Sequence, residues 1–177
     1  MNEAFDSSAD PSEDFINKKS PAEWDKLDQA GKVSFVIDAM SEPRFLREKK
    51  KINSSEEKLL DLLESEPGLV QEIVADTYTR GVAIFFIQKL YRSGNGERSF
   101  KAGERARQVF SINETPIEKQ NTRNAQLDCI IDVPQDEKIW ADKYKLEQGI
   151  ELEVQQRVNE RNNSAESDAH KLQPEDR

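Results

Sequence analysis

The chain has 177 residues, with 26 Lys+Arg against 35 Asp+Glu, a net charge of −9, one Cys and one His. That length fits one compact domain with extensions, while the single Cys and single His exclude a disulfide framework, a cysteine-rich zinc site and nearly every histidine metal cage. Charged residues make up 34% and hydrophobic ones 35%, so part of the chain is expected not to pack.

Residues 1–19 are polar and acidic, with Phe5, Phe15 and Ile16 as their large apolar groups. They are expected to form a disordered acidic tail, and they lack the apolar stretch of a signal peptide. A helical domain is expected over 20–134. Ser20-Pro21-Ala22-Glu23 combines a capping residue, Pro at the first helical position and a following Glu, which starts a helix carrying Trp24 and Leu27. Gly31 ends or interrupts it, and Val33, Val36, Ile37 and Met40 at helical spacing predict a second helix to about Ser41. A turn at Ser41-Glu42-Pro43 leads to Phe45, Leu46 and the basic run Arg47 to Lys51.

Ser55 can cap a helix holding Leu59, Leu60, Leu62 and Leu63, which Glu66-Pro67-Gly68 must break. Leu69, Ile73 and Val74 define a short helix, and after Thr77 and Thr79 a strongly apolar helix runs to about Arg92. Its longest apolar run, Val82 to Ile87, falls far short of the roughly 20 residues that span a bilayer. A soluble, cytoplasmic chain with no membrane partner is the expectation.

Arg98-Ser99-Phe100-Lys101 and Arg107-Gln108-Val109-Phe110-Ser111-Ile112, separated by Ala102-Gly103-Glu104, read as two short strands with a glycine turn. Thr115-Pro116-Ile117-Glu118 opens a further helix to Ile131. A charged helical arm is predicted over 135–162, with Ile139, Trp140, Tyr144, Leu146, Ile150, Val154 and Val158 along it, and a disordered tail over 163–177. The fold class is thus mainly α, with one β-hairpin and with extra N- and C-terminal helices.

Charge is uneven along the chain. Residues 1–30 hold eight acids and three bases (−5), and residues 113–177 hold fifteen acids and nine bases (−6). Residues 77–107 hold seven bases (Arg80, Lys89, Arg92, Arg98, Lys101, Arg105, Arg107) and two acids (Glu97, Glu104), giving +5. A basic stretch inside an acidic chain is the type of patch that phosphates attract.

Within residues 56–113, a leucine helix ends in Glu66-Pro67-Gly68-Leu69, a short helix holds Gln71-Glu72-Ile73-Val74-Ala75, and a third runs from Arg80 to Tyr91. An Arg-rich hairpin, Gly103-Glu104-Arg105-Ala106-Arg107-Gln108-Val109, follows. This order resembles a winged helix-turn-helix of the multiple-antibiotic-resistance-regulator type. The resemblance implies that the third helix, through Thr79, Arg80, Ile84 and Gln88, enters the major groove of double-stranded DNA. It implies that Arg98, Lys101, Arg105 and Arg107 form the wing that holds phosphates. The function it points to is a non-enzymatic DNA-binding regulator, possible as a homodimer through the arm because two half-sites raise affinity. The alternative is an adaptor or inhibitor that binds another protein through the apolar third helix and the charged arm.

The remaining candidates read as structure. Arg44, Arg47, Lys49, Lys50 and Lys51 make a basic cluster that reads as a solvated linker. Gly94, Gly96 and Gly103 lack the context of a phosphate loop. Cys129 reads as a buried small residue, and His170 in a polar tail is a poor catalytic base. Asp128 with Asp132, and Glu147 with Glu151, are i, i+4 acids of the kind that can share acid–base work, here read as solvated surface. No cofactor and no metal are expected.

Overall fold

The computed structural model describes residues 24–41, 54–93 and 96–171. The expected acidic tail over 1–19, the helix start at Ser20-Pro21 and the basic cluster Arg44 to Lys51 lie outside the described residues. Among the described residues, eight α-helices follow one another: α1 Gln29–Met40, α2 Ser54–Ser65, α3 Pro67–Ala75, α4 Thr77–Tyr91, α5 Glu97–Phe110, α6 Pro116–Ile131, α7 Lys138–Gln148 and α8 Glu151–Lys171. A single 3₁₀ turn, Gln135–Glu137, leads into α7.

The helix ends follow from local chemistry. Asp28 caps α1, its Oδ1 accepting the Gly31 N–H at 2.7 Å, so Gly31 sits in the first turn of that helix. Pro67 opens α3 one residue after α2 has stopped, where its missing N–H has no helical partner to lose. Asp76 caps α4 by accepting from Tyr78 and Thr79, both at 3.1 Å. Thr115 and Glu118 form a reciprocal capping box at the start of α6.

Helix α4 is the centre of the fold, packed against α1, α3, α5 and α6. Its Ala83, Ile84, Phe86, Ile87, Leu90 and Tyr91 are all buried, which explains its apolar sequence. Each large side chain so buried contributes about 1.5–3 kcal/mol. An aromatic group ties α7 to this body: Phe100 of α5 meets Tyr91, Trp140 and Tyr144 at 5.7, 5.4 and 4.7 Å between ring centroids.

The expected β-hairpin is absent; among the described residues there is no strand, and Arg98 to Phe110 belong to α5. The buried positions of this segment, Ser99, Phe100, Ala102, Gly103, Ala106 and Phe110, recur at helical spacing and form one stripe against α4. Two short runs that alternate in polarity hid that stripe. Gly103 does not turn the chain: it lies mid-helix because a Cβ there would come within 2.5 Å of the Tyr91 ring. The winged-helix-like core of three helices plus a hairpin is therefore replaced by an all-helical bundle.

The arm also departs from expectation. Gly149, at φ 61° and ψ 38°, breaks it into α7 and α8, so Glu147 and Glu151 do not share one helix. Helix α8 continues to Lys171, through the first nine residues of the segment expected to be a disordered tail.

Helix α5 starts without a side-chain cap of its own, since its N-cap is Gly96 at φ 59°. The Glu137 carboxylate reaches in from the 3₁₀ turn and accepts the Glu97 N–H at 2.9 Å. A side chain at position 96 would collide with that carboxylate.

Candidate functional site

The seven residues expected to touch DNA do not converge on one surface. Thr79 is a joint residue: its Oγ1 donates to the Ile73 carbonyl at 2.6 Å and pins α3 to the start of α4. Gln88 is buried and donates to Thr122 Oγ1 at 3.3 Å, and Ile84 is buried beside it. Neither can enter a groove without unpacking the core.

The five basic residues all have carboxylate partners. Arg80 forms a two-pronged pair with Glu118 at 2.8 and 2.7 Å and also donates to the Asn113 carbonyl. Arg98 meets Glu57 at 2.6 Å, and Lys101 meets Glu97 at 2.9 Å. Arg105 is held by Glu64 at 2.6 and 2.8 Å and by Asp61. Arg107 lies 3.6 Å from Glu114. Spaced i, i+3, i+7, Arg98, Lys101 and Arg105 share one face of α5, and α2 lays Glu57, Asp61 and Glu64 against it.

Between these two helices runs an open groove of about 550 Å³, bordered by Glu57, Asp61, Arg98, Lys101, Arg105 and Glu137 among others. It is lined by charges of both signs that already satisfy one another. The guanidinium of Arg98 lowers the Glu57 pKa, and Arg105 does the same to Glu64. Five of the seven bases of residues 77–107 are thus paired with carboxylates from α2, from α5 itself, from α6 and from Glu114 just before it, while Lys89 lies over the Phe85 ring.

The Glu118 pair gives a pH prediction. Hydrogen bonds from Arg80, then from the Thr115 backbone, pull this carboxyl from 4.5 down to about 2. A depressed folded-state value means that the pair stabilises the fold above the ordinary carboxylate range and loses that contribution as pH falls toward about 2. Urea unfolding between about pH 5 and about pH 2.5 should show Glu118→Gln with a shallower loss of stability than the natural chain. Equal slopes would remove this assignment.

Sequence reasoning missed a polar network inside the bundle. Tyr91, fully buried, donates its hydroxyl to Glu104 at 2.6 Å, and Gln126 donates to the same carboxylate oxygen and to the Tyr91 hydroxyl. Arg123 donates to Gln126 at 3.2 Å and pairs with Glu153 of α8 at 2.7 and 2.6 Å. Burial, then the neighbouring Glu104, pushes the Tyr91 phenol well above its usual pKa. The network joins α4, α5, α6 and α8, and its visible trace in the sequence is Gln126 set among the apolar Ala125, Leu127 and Cys129.

Asp128 and Asp132, read as solvated acids, are instead the docking points of α8. Asp128 takes Arg157 at 3.0 and 3.1 Å, and Asp132 takes Arg161 at 3.0 Å. Cys129 is buried, and burial ahead of the nearby acids raises its thiol to about 12. That is the wrong direction for a nucleophile. Among the described residues no group of three or more His, Cys, Asp or Glu is placed to hold a metal ion, and no helix is long and apolar enough to cross a membrane.

A further feature is on the arm. Ile139 and Leu146, seven residues apart on the outer face of α7, are 83% and 73% exposed, and Leu152 at the start of α8 is 83% exposed. Residues seven apart lie on one helix face, so the outward side of α7 carries two large aliphatic groups with Asp142 and Lys143 between them. Comparison with protein-family models, curated proteins and solved structures finds no match to this chain.

Proposed function

We propose that the chain is a non-enzymatic, cytoplasmic protein-binding module whose contact surface is the arm formed by α7 and the start of α8. The observation that carries this reading is the exposure of Ile139, Leu146 and Leu152 together on that arm. Large aliphatic groups gathered in water and rimmed by charges are the kind of surface that a partner covers. The apolar third helix, α4, turns most of its apolar residues into the core and leaves two aromatic groups, Tyr78 and Phe85, exposed. The chain's single cysteine, Cys129 of α6, is buried and unpaired and suits a reducing compartment.

Charge weighs against backbone recognition of DNA. Affinity for phosphates comes from cations that release the counterions of the duplex. Arg80, Arg98, Arg105 and Arg107 would first have to leave carboxylates within the same chain.

Two measurements test the reading together. A labelled mixed-sequence duplex titrated at about 50 and about 200 mM salt should show flat anisotropy. Partners captured by the tagged chain, including an untagged copy of itself, should be lost with Ile139→Glu plus Leu146→Glu. They should be retained with Ile117→Glu, an equally exposed isoleucine on α6. Salt-sensitive duplex binding that falls with Arg98→Ala and Lys101→Ala, or identical capture by all three forms, would overturn it.

A further inference from the structure

Helix α8 is fastened to α6 by arginine–carboxylate pairs stacked about a turn apart: Arg123 with Glu153, Asp128 with Arg157, and Asp132 with Arg161. The order of charge on α6 is positive, negative, negative, and on α8 it is negative, positive, positive. The pairs therefore match in one register, with the two helices running in the same direction. The apolar part of α8 that is buried is small, comprising Val154 and, just before the helix, Ile150. Past Arg161, residues 162–169 are all exposed.

The link between α7 and α8 is equally specific. Gly149 adopts the left-handed conformation at φ 61°, its N–H bonds to the Leu146 carbonyl at 3.3 Å, and the Ile150 N–H bonds to the Lys145 carbonyl at 3.1 Å. This is a glycine-dependent helix stop, and good helix-forming sequence lies on both sides of it. Leu146, three residues before Gly149, and Leu152, three residues after, are both largely in water.

We propose that α8 exchanges between two copies of this chain. Gly149 straightens, α7 and α8 join into one helix, and the α8 of each copy docks on the α6 of the other through the same three ion pairs. The two forms share these contacts, so they differ chiefly at the hinge. Two straightened helices crossing at Gly149, where no side chain separates them, set the four leucines at positions 146 and 152 around the crossing point. The second copy thereby covers aliphatic groups that a single chain leaves exposed. This inference rests on the reading of the arm as a protein-binding surface, and it names the partner.

A charge-reversed pair of chains tests it. One chain carries Asp128→Arg and Asp132→Arg, the other Arg157→Asp and Arg161→Asp, so that each alone faces like charges across its own α6–α8 contact. Mixed in equal amounts, each α8 finds its match on the other chain's α6. Light scattering should then report twice the chain mass for the mixture and a single chain mass for each component. In the otherwise natural chain, Gly149→Ala should raise the dimer fraction at least about tenfold, because a left-handed alanine is disfavoured and a continuous helix is not.

A mixture that stays at one chain mass while circular dichroism shows the helices intact overturns the exchange. If the reversed chains fail to fold, a monomeric Gly149→Ala overturns it instead. Should the exchange fail while Ile139→Glu with Leu146→Glu still strips captured partners, the arm keeps its role and loses this partner. If the mixture dimerises while that double variant captures everything as before, the exchange stands and the α7 face loses its role.

Discussion

Gly103→Ala is expected to destabilise the fold by about 3 kcal/mol, near the upper end for forcing one extra group into a packed interior. Helix propensity alone predicts the reverse, since alanine is better than glycine in a helix by about 1 kcal/mol. The added Cβ would come within 2.5–2.6 Å of three ring carbons of Tyr91. That ring has nowhere to go: it is fully buried, its edge meets Phe100, and its hydroxyl is bound to Glu104 and Gln126. Either the ring moves and leaves those polar groups unpaired, or α5 lifts from α4. Gly81, in α4, supplies the control, because a Cβ there meets nothing within 4 Å, and Gly81→Ala should stabilise by about 0.5–1 kcal/mol. Urea titrations of the two variants should therefore move in opposite directions. A neutral Gly103→Ala would mean that α4 and α5 are not as close as described.

Phe100→Ala should cost about 4 kcal/mol, in the range for deleting a buried phenylalanine. Its ring is the shared neighbour of Tyr91, Trp140 and Tyr144, so its loss opens a cavity and removes the seat of α7 together. Tryptophan emission separates the two effects. Trp24 sits apart, against Phe35 and Glu66, and Trp24→Phe leaves Trp140 as the reporter. In that background, Phe100→Ala should shift the native-state emission to longer wavelength as Trp140 becomes wetter, and the urea midpoint should fall. An unchanged spectrum would show that α7 is held by something else.

What was legible in the chain was whatever is written locally. The break at Pro67, the capping box at Thr115 and Glu118, and the leucine stripe of α2 each depend on residues within a turn or two, and the helices form there. Helix α5 is hidden in the sequence because its stripe of small and aromatic residues is interrupted by charges in short alternating runs, and because Gly103 imitates a turn. Its glycine is explained by a tyrosine on another helix, which no window around residue 103 contains. The fate of the arginines was hidden for the same reason. Arg98 and Arg105 find Glu57, Asp61 and Glu64 on α2, 41–44 residues earlier in the chain. A segment sum of +5 records the bases and is blind to the acids folded over them. The arm reads as one helix because Gly149 is a single residue among strong helix formers.

The Glu137 carboxylate that closes the first turn of α5 belongs to the stretch from which α7 sprouts. That bond fastens the root of the arm to the first turn of α5, beside the contacts of Phe100 with Trp140 and Tyr144, so fraying at one end is felt at the other. A load applied to the arm by anything that grips it is shared among the amide of Glu97, the Phe100 ring and the ion pairs of α8. Conversely, loosening the start of α5 slackens the arm. The root of the arm thus couples the bundle's interior to the surface offered to partners.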